Sequence, residues 1–176
     1  MTVVGIVSFI TISTITGFQI SSQRLNFQNQ LQALQSFITS HKAAGFNDTS
    51  DNNDYTVNIE QTSVNARVLN STTGLNTSEK TFLISDEEMI FQNFNVRNSE
   101  SVWESLCTQN AQQIDCADVD ISIDPQQRVC NISSDGTDYL TLHIAINKPD
   151  ELTPSKHLYI HRENCLIESI NNQIQN

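Results

Sequence analysis

Charge is scarce in this chain, and positive charge is scarcest. Asp, Glu, Lys and Arg make up 16% of the 176 residues; nine basic side chains face twenty acidic ones, for a net charge of −11. So few cations argue against a nucleic-acid-binding protein held by phosphate contacts, and no nucleic-acid partner is expected for the acidic body. Gly (5) and Pro (3) are also rare, which excludes a collagen-like chain and a low-complexity linker. No P-loop, G-x-G-x-x-G, G-x-S-x-G or H-E-x-x-H occurs. The chain is read as non-catalytic.

Neutral polar residues fill the space that charge leaves. Asn, Gln, Ser and Thr together make up about 39% of the residues, and hydrophobic residues at 38% are enough for one modest core. These averages hide a segregation. No charged residue occurs before Arg24, and up to Asn47 the only charges are Arg24 and Lys42; from Asp48 onward the chain carries seven basic and twenty acidic residues, or −13. The order is an uncharged head, a polar stalk and an acidic body.

The head, residues 1–20, has the roughly 20-residue length of a membrane span. Its Ser and Thr hydroxyls can bond back to helix carbonyls, so they are compatible with lipid. It lacks the basic n-region and small-residue cleavage site of a signal peptide. A membrane-inserting helix is expected. Residues 21–45 continue it: no Pro or Gly interrupts Ser21 to Ala44, and Phe27, Leu31, Leu34 and Ile38 recur at helical spacing. That stripe is expected to pack on a sheet, with Gly45 closing the helix about 65 Å from its start.

Residues 46–176 read as a β-rich globular body. Tyr55–Glu60, Val64–Leu69, Thr81–Ile84, Met89–Val96, Val119–Ile123, Tyr139–Ile146, His157–His161 and Cys165–Ile170 are strand candidates. Asp124-Pro125-Gln126-Gln127 and Ser134-Asp135-Gly136-Thr137 supply turns. In the strand from Met89, Phe91 and Asn93 are expected to share a face. Asn98–Cys116 is expected to be a long loop holding a short helix. The expected class is α+β: a long N-terminal helix, hydrophobic then amphipathic, packed on an antiparallel β-rich domain.

Met1-Thr-Val-Val-Gly-Ile-Val-Ser-Phe-Ile10, followed by the amphipathic stalk and the β-rich body, resembles the layout of type IV pilin-like proteins. Asp120-Ile-Ser-Ile-Asp-Pro125 and Tyr159-Ile-His-Arg-Glu-Asn-Cys-Leu-Ile167 are similar to the closing segments of minor pseudopilins of type II secretion. The resemblance implies a pilin-like fold and a minor pilin or pseudopilin that assembles into a filament. Val3, Val4, Gly5, Ile6, Val7, Phe9 and Ile10 would then form the helix–helix core, and sister subunits and the inner membrane would be the partners. The protein would sit in the inner membrane by a single pass, with a periplasmic or extracellular body, and reach the cell surface on assembly. The resemblance also implies a basic leader and a few mature residues, including a Glu, upstream of Met1. The alternative is a signal-anchored extracytoplasmic binding domain that never polymerises.

Four cysteines allow three pairings. In an oxidising compartment, Cys107–Cys116 is expected to pin the long loop and Cys130–Cys165 to tie the sheet to the last hairpin. In the acidic loop that holds Asp48, Asp51 and Asp54, the residues Asp48, Ser50, Asn52 and Asp54 alternate as the first ligands of a calcium loop do, but the central Gly and closing Glu are lacking, and a flexible connector is the better reading. Asp86, Glu87 and Glu88 read as a solvated turn. His157 and His161 share a strand face as surface or half-buried histidines. Sequons at Asn47, Asn70, Asn76 and Asn131 suit an exposed surface.

Overall fold

A computed structural model describes the backbone of residues 2–48, 52–85, 89–99, 102–110, 113–148 and 156–170, and their side chains from Ser21 onward except at 109, 110 and 113. The chain begins with one helix, α1 (Thr2–Asn47). Thirteen strands follow: β1 (Asn53–Ile59), β2 (Ser63–Asn70), β3 (Asn76–Leu83), β4 (Ile90–Arg97), β5 (Trp103–Ser105), β6 (Cys107–Asn110), β7 (Gln113–Cys116), β8 (Val119–Asp124), β9 (Val129–Ser134), β10 (Thr137–Tyr139), β11 (Thr141–Asn147), β12 (Lys156–His161) and β13 (Leu166–Ile170). They form a six-stranded sheet in the order β10-β9-β8-β1-β2-β3, a five-stranded sheet β13-β12-β11-β4-β5 and the small hairpin β6-β7, with antiparallel pairing throughout.

The expected α+β class is therefore corrected. Over the residues whose side chains are described, 55% are in strands and 21% in helix, so the protein is mostly β. It is not built as a long helix laid along a β domain. The described packing of α1 on the sheets is a short stretch from Phe27 to Gly45, along which Phe27, Leu31, Leu34 and Ile38 are buried. Among the described residues no helix is long and apolar enough to cross a membrane. The side chains of the head, including Val3, Val4, Gly5, Ile6, Val7, Phe9 and Ile10, lie outside the described residues.

One core holds the body together. Phe27, Leu31, Leu34 and Ile38 of α1 are buried in the same cluster as Val57 and Ile59 of β1, Ile121 and Ile132 of the first sheet, and Phe94, Leu142, Ile144 and Ile160 of the second. Each fully buried aliphatic or aromatic side chain contributes about 1.5–3 kcal/mol to this core. The helix runs two residues past Gly45. That glycine serves close approach rather than termination: a Cβ there would meet Ile123 Cγ2 at 3.0 Å and Tyr55 Cβ at 3.1 Å. Lys42 donates to the carbonyl of Cys165 (3.1 Å), tying the helix to the last hairpin.

Three local expectations change. The Tyr139–Ile146 run splits at Leu140, where the chain leaves the first sheet and enters the second; β10 pairs with β9, and β11 with β4 and β12. Asn98–Cys116 holds β5, β6 and β7 in place of a helix, since the disulfide partners Cys107 and Cys116 sit directly opposite one another in a tight hairpin. Asn93 does not share a face with Phe91. A register shift between Ala145 and Ile146 pairs them with Asn93 and Phe91, leaving Gln92 as the extra residue of a bulge. Phe91 and Phe94 thus both enter the core, and Asn93 and Asn95 move to the outer face.

Both disulfides join the pairs named from the sequence, Cys107–Cys116 and Cys130–Cys165. Cys130–Cys165 links β9 of the first sheet to the turn between β12 and β13 of the second, in which Cys165 takes φ 50° and the Asn164 side chain accepts from Leu166 N–H at 2.9 Å. The β9–β10 turn is two residues, Asp135 at φ 48° and Gly136 at φ 78°, which matches the twist of the flanking strands.

Candidate functional site

Strand alternation gives the second sheet two unlike faces. Phe94, Val96, Leu142, Ile144, Leu158 and Ile160 point into the core. The positions between them gather on the other face: Asn93 and Asn95 from β4, His143 from β11, and His157, Tyr159 and His161 from β12. Register places Asn95 opposite His143, His143 opposite Tyr159, and Ser105 of the edge strand opposite Asn95. The β6–β7 hairpin, closed by Cys107–Cys116, stands beside this face. Between them lies a cavity of about 480 Å³ lined by Gln92, Asn93, Asn95, Ser105, Cys107, Thr108, Ile114, His143, Ala145 and His157.

The polar groups form a directed chain. Ser105 Oγ donates to Asn93 Oδ1 (3.0 Å), Asn93 Nδ2 to Asn95 Oδ1 (3.2 Å), and Asn95 Nδ2 to His143 Nδ1 (3.1 Å). A neutral His143 then carries its proton on Nε2 and donates it to His157 Nδ1 at 2.8 Å. This leaves His157 Nε2 as the last donor, buried and without an acceptor among the described residues. Burial, and secondarily the neighbouring His157, lower the His143 pKa from 6.5 to about 4. Burial also lowers that of His157. Both rings are therefore neutral at neutral pH.

Aromatic rings frame the chain. Tyr159 stacks on His143 (4.6 Å between centroids, 14°), and its own pKa is raised by burial. Trp103, 44% exposed, meets His143 and Tyr159 edge-on at 6.0 and 6.4 Å, with the Arg97 guanidinium 5.8 Å from its ring. His161 lies 3.7 Å from Glu168 at the far side.

His143 is oriented by an amide, not a carboxylate, and the Ser105 hydroxyl is bonded to Asn93 and Cys107 rather than to a base. Among the described residues no three His, Cys, Asp or Glu side chains come close enough to hold a metal. Asp48 accepts from Asn53 Nδ2 (2.8 Å) and Tyr55 Oη (2.9 Å) on one carboxylate oxygen, so it staples the helix end to β1. Asp51 and the Asp86–Glu88 run lie outside the described residues, and Asp54 stands in β1.

Sequence reasoning set His157 beside His161; the sheet sets it against His143. No local pattern groups His143, Asn93, Asn95, Ser105 and Trp103, which the sheet register brings together. The available signal was the period-2 polar series on β4, β11 and β12, with apolar residues at every intervening position. Comparison with family models, with curated proteins and with solved structures yields no match for this chain.

Proposed function

We propose that this chain is a non-catalytic structural subunit, a minor pilin or pseudopilin, of a type IV pilus or type II secretion-like filament. The observation that supports this is the continuity of α1: one helix carries the chain from the uncharged residues before Arg24 to the core position Phe27 and on to Asn47. Its 46 residues span about 69 Å at 1.5 Å each. A flexible tether would uncouple head from body; an unbroken helix transmits the body's orientation to whatever holds the head. Before assembly the head lies in the inner membrane and the body in the periplasm. In the filament, Val3, Val4, Ile6, Val7, Phe9 and Ile10 pack against the heads of sister subunits, and Gly5 permits close approach. The disulfides fit an oxidising compartment.

Removing residues 1–19 tests it. All described core residues lie at or after Phe27, so the shortened chain is expected to fold, to stay out of lipid vesicles on flotation and to form no filaments, while the full chain floats with vesicles and forms filaments. A full chain that stays soluble without detergent and never floats with vesicles overturns the proposal.

A second reading, an anchored extracytoplasmic binding domain that does not polymerise, is favoured by the cavity on the outer face of the second sheet. Electron microscopy of the full chain released from detergent separates the two: filaments support the first, discrete particles the second.

A further inference from the structure

We propose that the cavity between the second sheet and the β6–β7 hairpin is a binding site for a neutral saccharide. The inference goes beyond assembly and does not depend on it.

Its volume, about 480 Å³, lies within the roughly 300–1,000 Å³ usual for small-molecule sites. Among the described residues no Asp, Glu, Lys or Arg lines it, although the chain carries a net charge of −11. A charged ligand would find no counter-ion there, and burying it unpaired is costly. What the walls offer is amide, hydroxyl and imidazole groups. Asn93, Asn95 and Ser105 have their mutual orientation set by the hydrogen-bond chain, and the second lone pairs and second amide protons of that chain remain for a ligand. Donors and acceptors interleaved in this way match vicinal hydroxyl groups, each of which donates and accepts. Ala145 and Ile114 add apolar surface suited to the C–H face of a pyranose.

Two further features point to the same class. His157, a wall residue only 5% exposed, ends the chain with an Nε2 donor that has no acceptor among the described residues. A buried donor left unmade costs about 1–3 kcal/mol. Beside the cavity, Trp103 exposes its indole at the sheet edge against His143. An exposed ring next to a polar cavity provides a stacking platform for an adjoining sugar unit.

Trp103 is the single tryptophan of the chain, so its fluorescence reports on this site alone. Full-length, disulfide-intact protein is titrated with glucose, galactose, N-acetylglucosamine and their β-linked disaccharides. The expected result is a saturable change with at least one of them, with a Kd on the order of 1 mM, and tighter binding of the disaccharide. Ser105→Phe fills the cavity from the exposed edge strand, and Thr108→Tyr fills it from the exposed hairpin; both positions tolerate bulk without touching the core. Either substitution is expected to weaken binding at least tenfold, while the remote Leu75→Ser leaves it unchanged. Saturation-transfer NMR on the same samples confirms contact independently of fluorescence. Absence of both signals for all the sugars overturns the proposal. So does binding that survives Ser105→Phe and Thr108→Tyr together. A fluorescence change with zinc chloride and none with any sugar also overturns it and assigns the imidazole pair to a metal.

Discussion

The two large sheets share one core and differ in the faces they turn outward. On the first sheet that face is charged and solvated: Arg67 pairs with Glu79 (2.8 Å), Asn58 donates to Asp120 (2.9 Å), and Asp118 has its pKa raised by burial and by Glu60, Asp120, Asp135 and Asp115 around it. On the second sheet the positions around the cavity carry neutral amides and imidazoles, with aromatic rings and a disulfide-closed hairpin beside them, and the charged Arg97 and Glu168 stand at the margins. Charge needs water, so the first face stays open. Neutral polar groups can satisfy one another, so the second face tolerates partial burial. Antiparallel sheets over one core thus carry a solvated coat on one side and a neutral polar surface on the other.

The largest expected effect breaks what the sheets have in common. Phe94 is fully buried beneath the candidate site, in the cluster that includes the first sheet and α1. Phe94→Ala should cost about 3–5 kcal/mol. In urea, Trp103 fluorescence, which reads the second sheet, and far-UV circular dichroism, which reads both, should shift together. If only the fluorescence transition moves, the sheets unfold separately and the shared core is refuted.

The disulfides sharpen the comparison next. Cys130–Cys165 bridges the sheets across a sequence separation of 35, whereas Cys107–Cys116 closes a hairpin with a separation of 9. Chain entropy makes the first worth about 4 kcal/mol and the second about 3. Paired serine substitutions at Cys130 and Cys165 should therefore lower stability by about 1 kcal/mol more than those at Cys107 and Cys116. The latter pair should instead loosen the cavity wall, read as altered Trp103 emission in the folded state.

The two outer faces should answer acid with opposite sign. For His143, held near 4 in the fold against 6.5 when free, the unfolded chain binds more protons between those values. Its contribution is complete above pH 6.5 and is lost as pH falls through about 4. Asp118, with its pKa raised, binds protons more readily in the fold, so its effect runs the other way: stability falls as pH rises through its folded value. His143→Asn should flatten the acid-side loss, and Asp118→Asn should raise stability at neutral pH. Melting temperatures across roughly pH 3–7.5, about one unit beyond the usual Asp and His values, measure both. A loss that persists unchanged in His143→Asn assigns it elsewhere.

The smallest effect falls on the solvated face. Arg67 and Glu79 are both more than 40% exposed. Glu79→Gln should change stability by no more than about 1 kcal/mol, diminishing in salt. A larger cost would mean that this face is less open to water than its exposure indicates.

Much of the inner architecture was legible in the chain. Phe27, Leu31, Leu34 and Ile38 stand at helical spacing, and Val119, Ile121 and Ile123 alternate; all seven are buried. Periodicity reports which residues leave water, and that follows from local geometry. β3 shows where this signal fails. The sequence pattern predicts a strand only over Thr81–Ile84, yet β3 runs from Asn76 to Leu83 with nearly every position exposed, because pairing with β2 rather than burial holds it in place. The α+β class failed for a related reason: the helical pattern is long in sequence, but strands of three to eight residues carry most of the described body.

The amino-acid sequence alone determined the segregation of charge, the helix that links head to body, the inward faces of the strands and the pool of four cysteines. Each is a property of neighbouring residues and their spacing. Only the tertiary structure decided that Leu140 divides one apolar run between two sheets, that a bulge at Gln92 turns Asn93 outward, and that His143 meets His157 rather than leaving it to His161. Those outcomes depend on register between strands distant in the chain. A shift of one residue there reverses every side chain, and no local pattern encodes it.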